Sequence, residues 1–289
     1  MQDAAAKEGG AQTFEIPHPS SPPSANWKTI FENEAEDFGL GFLTVWGRKW
    51  FAPGKEVIVE GEEEGGSPVV HRFAQRFIQR VSQVGDQLLA VGSPFLIMAR
   101  RSDQWVAERT AAPRTRDAKR RFANILSYAD IIRDAQGRLR TTVSGPVFLY
   151  ELAPRKPQWS VVSAAEHGSL LSTVRAGPTG ALLCEPTLWR WSTHGHGWYI
   201  CEDGRVFSYI GANSVALGNI PAECAPYATG ANKNEFGYAF ICSENVMSLR
   251  VGASQWRSVT GPEDLNSVAL GARCIFANSR SRVWKHCDE

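Results

Sequence analysis

The chain reads as an all-β protein, a single β-propeller of six blades closed by an N-terminal strand. Three observations predict this. Short runs rich in β-branched and aromatic residues recur along nearly the whole length, bounded by Gly, Pro, Ser, Asn or Asp. Three of the resulting strand pairs close on Gln-Trp: Gln87–Arg101 leads into Gln104-Trp105, Arg138–Leu152 into Gln158-Trp159, and Phe236–Arg250 into Gln255-Trp256. Trp105 and Trp159 are 54 positions apart, and Trp159 and Trp256 are 97 apart, near twice that spacing. Such a period suits four-stranded blades set around an axis. Finally, the two ends complement each other. The last repeat, Asp264–His286, supplies three strand runs, and Asn26-Trp27-Lys28-Thr29-Ile30 resembles Gln255-Trp256-Arg257-Ser258-Val259. That N-terminal segment provides the missing fourth strand, and a ring joined this way has no bare sheet edge.

The elements follow in order. Residues 1–25 hold Pro17, Pro19, Pro22 and Pro23 and few apolar side chains, which predicts a flexible leader ahead of a propeller over 26–289. Strand runs then begin at Phe42–Gly47, Glu56–Glu60, Val69–Phe73, Gln87–Val91, Phe95–Ala99 and Trp105–Glu108. They continue at Leu139–Val143, Val147–Leu152, Trp159–Ser163, Leu170–Val174, Ala181–Cys184 and Thr187–Trp191. The last are Trp198–Cys201, Val206–Ile210, Tyr238–Cys242, Val246–Val251, Trp256–Val259, Ser267–Leu270, Arg273–Ala277 and Arg282–His286. Arg72–Val84 is ambiguous. Phe73, Phe77, Val81 and Val84 are spaced 4, 4 and 3, which fits either a short helix or a strand followed by a turn. Arg116–Leu126 is a second candidate helical insertion. Hairpin centres fall near 51, 91, 143, 184, 201, 242 and 277. The gap from 184 to 201 is too short for four strands, so six blades are preferred to seven.

Composition narrows the function classes. With 289 residues, 43% apolar and 21% charged, the chain is a soluble globular type. Net charge is +1, which gives no reason to expect nucleic acid as partner. No apolar run approaches the ~20 residues of a membrane span. Met1–Gly10 lacks the apolar core of a secretory signal, so the chain as written reads as cytoplasmic. Gln2–Asn26 also suits the start of a mature exported protein, and the compartment stays open. The six cysteines, at 184, 201, 224, 242, 274 and 287, allow three disulfides. Four of them sit in apolar strand runs, where a thiol packs as a small hydrophobe, and the preferred reading is buried thiols.

Two propeller families share features with the repeats. Leu88-Leu89-Ala90-Val91-Gly92, Phe95-Leu96-Ile97-Met98 and Gln104-Trp105 resemble the BNR and photosystem-assembly-factor type of repeat. Ser102-Asp103-Gln104-Trp105 is only a fragment of that family's Asp-box. Gly195–Tyr209, continuing into Gly211-Ala212-Asn213-Ser214 and Leu217-Gly218, is similar to one repeat of the regulator-of-chromosome-condensation type. Both resemblances imply a propeller. The second implies a narrower role, nucleotide exchange on a small GTPase.

Candidate functional residues form two groups. The basic stretch Arg100–Arg121 includes Arg114, Arg116, Arg120 and Arg121, and suits an acidic partner surface; the plain alternative is a solvated loop. Trp189, Arg190, Trp191, His194, His196 and Trp198 combine aromatic faces with hydrogen-bonding groups, as a sugar or small-ligand site does. Cys184, His194, His196 and Cys201 are donors that zinc takes, but their spacing matches no standard frame, and neither metal nor cofactor is expected. The carboxylates read as scattered or gathered in an exposed run at Glu60–Glu64, with no pair selected for glycoside hydrolysis. The sequence therefore predicts a non-catalytic propeller that binds another protein, as a scaffold, assembly factor or inhibitor. The alternatives are a lectin-like propeller for a glycan or small ligand, and a hydrolase with its site at the channel mouth.

Overall fold

The computed structural model describes residues 26–33, 38–84, 86–93, 96–108, 130–133, 139–142, 150–152, 160–161, 183–184, 186–191, 196–210 and 213–287. The predicted leader, the helical candidate Arg116–Leu126 and the strand run Leu170–Val174 lie outside them. Among the described residues the architecture is all-β: five antiparallel sheets joined by turns, with one short 3-10 turn at Ala222–Tyr227. No described helix is long and apolar enough to cross a membrane.

The first strand, β1 (Lys28–Glu32), does not pair with its sequence neighbours. Next come β2 (Thr44–Trp46), β3 (Lys49–Glu62), β4 (Val69–Val84), β5 (Gln87–Ser93), β6 (Leu96–Arg101) and β7 (Gln104–Ala107), paired in sequence order. A second sheet holds β8 (Asp130–Arg133), β9 (Leu139–Thr142), β10 (Tyr150–Leu152) and β11 (Ser160–Val161). A third holds β12 (Pro186–Trp191), β13 (His196–Cys201), β14 (Arg205–Ile210) and β15 (Asn213–Asn219). A fourth holds β16 (Ala228–Asn234), β17 (Gly237–Cys242), β18 (Asn245–Arg250) and β19 (Arg257–Thr260). In the last, β20 (Ser267–Leu270), β21 (Cys274–Asn278) and β22 (Arg282–Cys287) are completed by β1, with Lys28 opposite Lys285 and Glu32 opposite Arg282. The N-terminal strand is thus the fourth strand of the last sheet.

Among the sheets whose side chains are described, neighbouring sheets bury their faces against each other. Leu43, Val45, Trp50, Val57 and Val59 pack on Ala269, Phe276 and Val283 of the last sheet. The other face of that sheet, through Val268, Leu270, Ile275 and Ala277, packs on Ala239, Ile241 and Val246. Trp198, Ile200 and Val206 pack in turn on Phe240, Cys242 and Met247. Side chains alternate between the two faces of a strand, so β13, β14, β17, β18, β20 and β21 each contribute to two cores. Each fully buried Phe, Leu or Ile here contributes about 1.5–3 kcal/mol.

Of the two readings of Arg72–Val84, the strand is the one found: it is the greater part of β4. Its helix-like spacing arises from a break at Gln75, in the left-handed region at φ 59°, and a register shift between Ile78 and Arg80. Each irregularity moves the apolar positions out of strict alternation. The cysteines are not thiols. Cys184–Cys201, Cys224–Cys242 and Cys274–Cys287 are disulfides, because strand ends bring each pair to Cα separations of 5.8, 5.4 and 4.1 Å.

Candidate functional site

The described polar groups fall into two sets, one turned inward and one at the surface. The inward set begins at Glu60, which the sequence placed in an exposed acidic run. Its side chain is only 7% exposed. It accepts from Lys49 Nζ at 3.0 Å, from His71 Nε2 at 2.9 Å, and from both terminal nitrogens of Arg100, Nη2 at 2.7 Å. Arg100, 5% exposed, stacks over Phe51 and Trp105 and also bonds Asp103 at 3.2 Å. Burial raises the Glu60 carboxyl, but hydrogen bonds from Lys49, His71 and Arg100 outweigh it and hold the group below its ordinary value. Lys49 is raised by its bond to Glu60, against the opposing effect of desolvation. The arrangement is a neutralised buried pair with extra ligands, suited to holding strands together. Arg100 is accordingly an internal ion-pair partner rather than part of an exposed basic loop.

Glu63 is the second inward carboxylate, 5% exposed. It accepts three backbone N–H groups, from Ala272 at 3.0 Å, Arg273 at 2.8 Å and Cys274 at 2.9 Å. Gly271 is needed beside it, since a Cβ there would meet Glu63 Oε1 at 2.5 Å.

The first strands of the sheets are tied to each other by short amides and hydroxyls. Asn232 Nδ2 donates to Leu43 O at 2.6 Å, Asn234 Nδ2 to Leu270 O at 2.6 Å, and Asn266 Nδ2 to Leu40 O at 3.2 Å. Leu43 N donates to Ser267 Oγ at 2.7 Å, and Thr44 Oγ1 to Val81 O at 2.5 Å. At one end of the sheets the turns join as well, with Gly47 N donating to Glu235 Oε1 at 3.0 Å.

The opposite end carries the turns 202–204 and 243–244 and the connections 220–227 and 261–266. Three bonds link them: Ile220 N donates to Gly204 O at 2.9 Å, Gly261 N to Glu244 O at 2.7 Å, and Cys224 is bonded to Cys242. Gly204 takes φ +82° in this Asp-Gly turn, and any Cβ there would collide with the Ile220 carbonyl. Glu202, Asp203, Glu223, Glu244, Glu263 and Asp264 are all exposed at this end. Asp203 bonds the Arg205 guanidinium at 2.7 Å. Its slight burial opposes ionisation, but the Arg205 backbone and side-chain bonds outweigh that and lower it. Tyr227, 66% exposed, and Leu183, 53% exposed, offer apolar surface between the carboxylates. A cavity of about 340 Å³ is lined by Cys184, Cys201, Glu202 and Asp203.

The sequence-derived candidates fare unevenly. Arg114, Arg116, Arg120, Arg121 and His194 lie outside the described residues. Trp189, Arg190 and Trp191 belong to β12, where Trp189 is opposite Tyr199, and His196 opens β13. Trp198 is no sugar platform. It is 1% exposed and meets Tyr238 edge to face, with ring centroids 5.6 Å apart. The zinc donors Cys184 and Cys201 are bonded to each other. Among the described residues no group of three His, Cys, Asp or Glu side chains is placed to hold a metal. Sequence reasoning missed Glu60 and Glu63, and alternation gave no signal for them, because it groups Glu60 with Glu62 and Glu64, which are exposed.

No protein-family profile matches the chain, and no curated protein does. Solved structures that align with the chain include YCF48 bound to D1 peptide, at 10% identity and TM-score 0.49, covering 91% of this chain and 97% of that one. YCF48 from Cyanidioschyzon merolae gives 11% identity and TM-score 0.49 over 90% and 98%. Virginiamycin B lyase from Staphylococcus aureus, with quinupristin, gives 8% and 0.43 over 89% and 83%. Both are propellers. Identities this low carry no activity across to this chain.

Proposed function

We propose that residues 26–289 form a six-bladed propeller whose function is to bind another protein without catalysis. The count of six rests on the six-stranded sheet. Residues 49–51 of β3 pair with β2, whereas residues 57–60 pair with β4. Between them Glu56 takes φ 58°, and Glu63 N reaches back to Arg48 O at 2.6 Å, so β3 folds on itself as two blade strands. β4 divides likewise at Gln75, its first part paired with β3 and its second with β5. The sheet is then two four-stranded blades, and with the other four sheets the blades number six.

The observation that carries the binding role is the make-up of one end of the sheets. The end that joins turn to turn through Glu63, Glu235 and Arg250 also exposes Glu62 and Glu64, which are paired with Lys49 and Arg48. The other presents six exposed carboxylates, with Tyr227 and Leu183 among them, on turns held by disulfides. A preorganised charged rim with apolar anchors suits a basic protein surface, and its rigidity lowers the ordering cost of binding. The stretch with Arg114, Arg116, Arg120 and Arg121 remains a second proposed contact, for acidic groups. The bonds between first strands, Asn232 to Leu43 above all, fill space near the axis and weigh against a channel-mouth active site.

Affinity capture from the native source tests this with three forms. They are the wild type, a Glu202→Gln, Glu223→Gln, Glu244→Gln, Glu263→Gln form, and an Arg114→Ser, Arg116→Ser, Arg120→Ser, Arg121→Ser form. A stoichiometric protein held by wild type and lost in one folded variant supports the reading and assigns the contact. Retention of no protein by any form overturns it.

A further inference from the structure

We propose that this chain folds oxidatively in an oxidising compartment, its three disulfides being installed by dithiol–disulfide exchange as part of folding. The inference stands on where the cysteines lie. Cys201 is the last residue of β13 and Cys242 the last of β17, so both end the second strand of a sheet. Each is bonded to a cysteine on the segment that enters the same sheet, Cys184 before β12 and Cys224 before β16. The corresponding residue of the last sheet is Asn278, which ends β21 opposite Ser267. There the tie is polar: Ser267 Oγ donates to Asn278 Oδ1 at 2.8 Å, and Asn278 Nδ2 to Gly41 O at 2.8 Å. One repeat position is therefore a fastening point in three consecutive sheets, covalent in two and hydrogen-bonded in the third.

The third disulfide fastens the opposite end. Cys274 and Cys287 are register partners across β21 and β22, and Cys274 N is one of the groups Glu63 holds. All six cysteines are thus consumed in pairs, each between neighbouring chain segments and each closing a separation of only 13 to 18 residues. Cys201, Cys224, Cys242 and Cys274 are buried and Cys184 and Cys287 half-buried, so each bond has at least one sulfur in the packed interior. Paired, buried, position-specific cysteines are the pattern of an oxidising compartment, since reducing cytosol keeps thiols apart as thiols. In each exchange two thiols of this chain become one disulfide, and the disulfide of an oxidoreductase of that class takes up the two electrons and two protons as a dithiol.

The test uses the full chain from its native source, acid-quenched on lysis. It is unfolded and treated with N-ethylmaleimide before and after reduction, then weighed intact and mapped by peptide mass. The expected result is no adduct before reduction, six after, and linked peptides joining 184 to 201, 224 to 242 and 274 to 287. Any adduct before reduction, or any other pairing, overturns the proposal. A second arm, independent of any variant's folding, produces the same chain in a reducing and in an oxidising bacterial compartment. The expected result is a cooperative thermal transition only from the oxidising one; an equal transition from six-thiol protein overturns the claim that the bonds are part of folding.

Discussion

Glu63 and Arg250 grip the same turn from two different sheets. Glu63, at the end of β3, accepts the N–H groups of Ala272, Arg273 and Cys274. Arg250, at the end of β18, donates to the carbonyls of Gly271 at 2.7 Å and Ala272 at 3.1 Å. The turn between β20 and β21 is thereby satisfied on its donor side by one neighbour and on its acceptor side by the other. Glu63→Ala strands three backbone donors and is expected to cost about 2–4 kcal/mol. Because the turn is shared, Arg250→Ala in the same chain should add less than its separate cost, with a coupling of about 0.5–3 kcal/mol. Urea unfolding of the two single variants and the double variant measures it; strictly additive losses would show that the turn does not link the sheets.

The Glu60 cluster predicts how stability depends on pH. The folded-state value of Glu60 is lowered, so its stabilisation is present above the unfolded value and is lost as pH falls through the folded one, below about 4.3. Lys49 is raised, so its share is complete below about 10.4 and is lost as pH rises beyond that. Thermal midpoints should therefore be level through neutrality and fall at both extremes. Glu60→Gln should shrink the acid limb and cost about 3 kcal/mol at pH 7, since buried Arg100 is left with only the exposed Asp103 as its carboxylate partner. An unchanged acid limb in Glu60→Gln would mean that other carboxylates set it.

Much of the fold was legible because it is local. Strand runs such as Gln87–Val91 and Tyr238–Cys242 follow alternation and turn chemistry, which act over a few residues. Even the distant pairing of β1 with β22 was legible, because Trp27 repeats the frame of Trp256 and the last repeat lacked a strand. What was hidden depends on contacts across the chain. Glu60 and Glu63 read as surface because Glu62 and Glu64 between and beside them are exposed. The groups that bury Glu63 are about two hundred positions away, beyond any local signal. The disulfides were hidden for a related reason: a cysteine in an apolar strand looks the same whether its neighbour is a leucine or another cysteine.

Removing β1 tests the union of the ends. Its loss uncovers the edge of β22 and takes Trp27, whose Nε1 donates to Thr260 O at 2.8 Å, from the core against the fourth sheet. A chain beginning at residue 34 is expected to lose its cooperative transition or to associate through the bare edge. Adding a peptide of residues 26–33 in trans should restore the transition, because the site for it is already formed by β22. Scattering and circular dichroism report both effects. A stable monomeric truncation that ignores the peptide would place the ends apart.

Trp198 separates a packing role from a binding one. It is enclosed by Tyr238 and Phe240, with ring centroids 5.6 and 6.0 Å from its own, and leaves no face to a ligand. Trp198→Ala should cost about 3–5 kcal/mol through the cavity it leaves. Trp198→Phe retains most of the packing, so it should bind the captured partner as wild type does. Tyr227→Ala has the opposite profile. Two-thirds of that residue is exposed, so stability should change by less than about 0.5 kcal/mol while capture weakens. Melting curves and capture assays on the same preparations distinguish the two residues. Loss of partner in Trp198→Phe with an unchanged melt would return the tryptophan cluster to the binding surface; loss only in Tyr227→Ala would locate the contact on the carboxylate-bearing end.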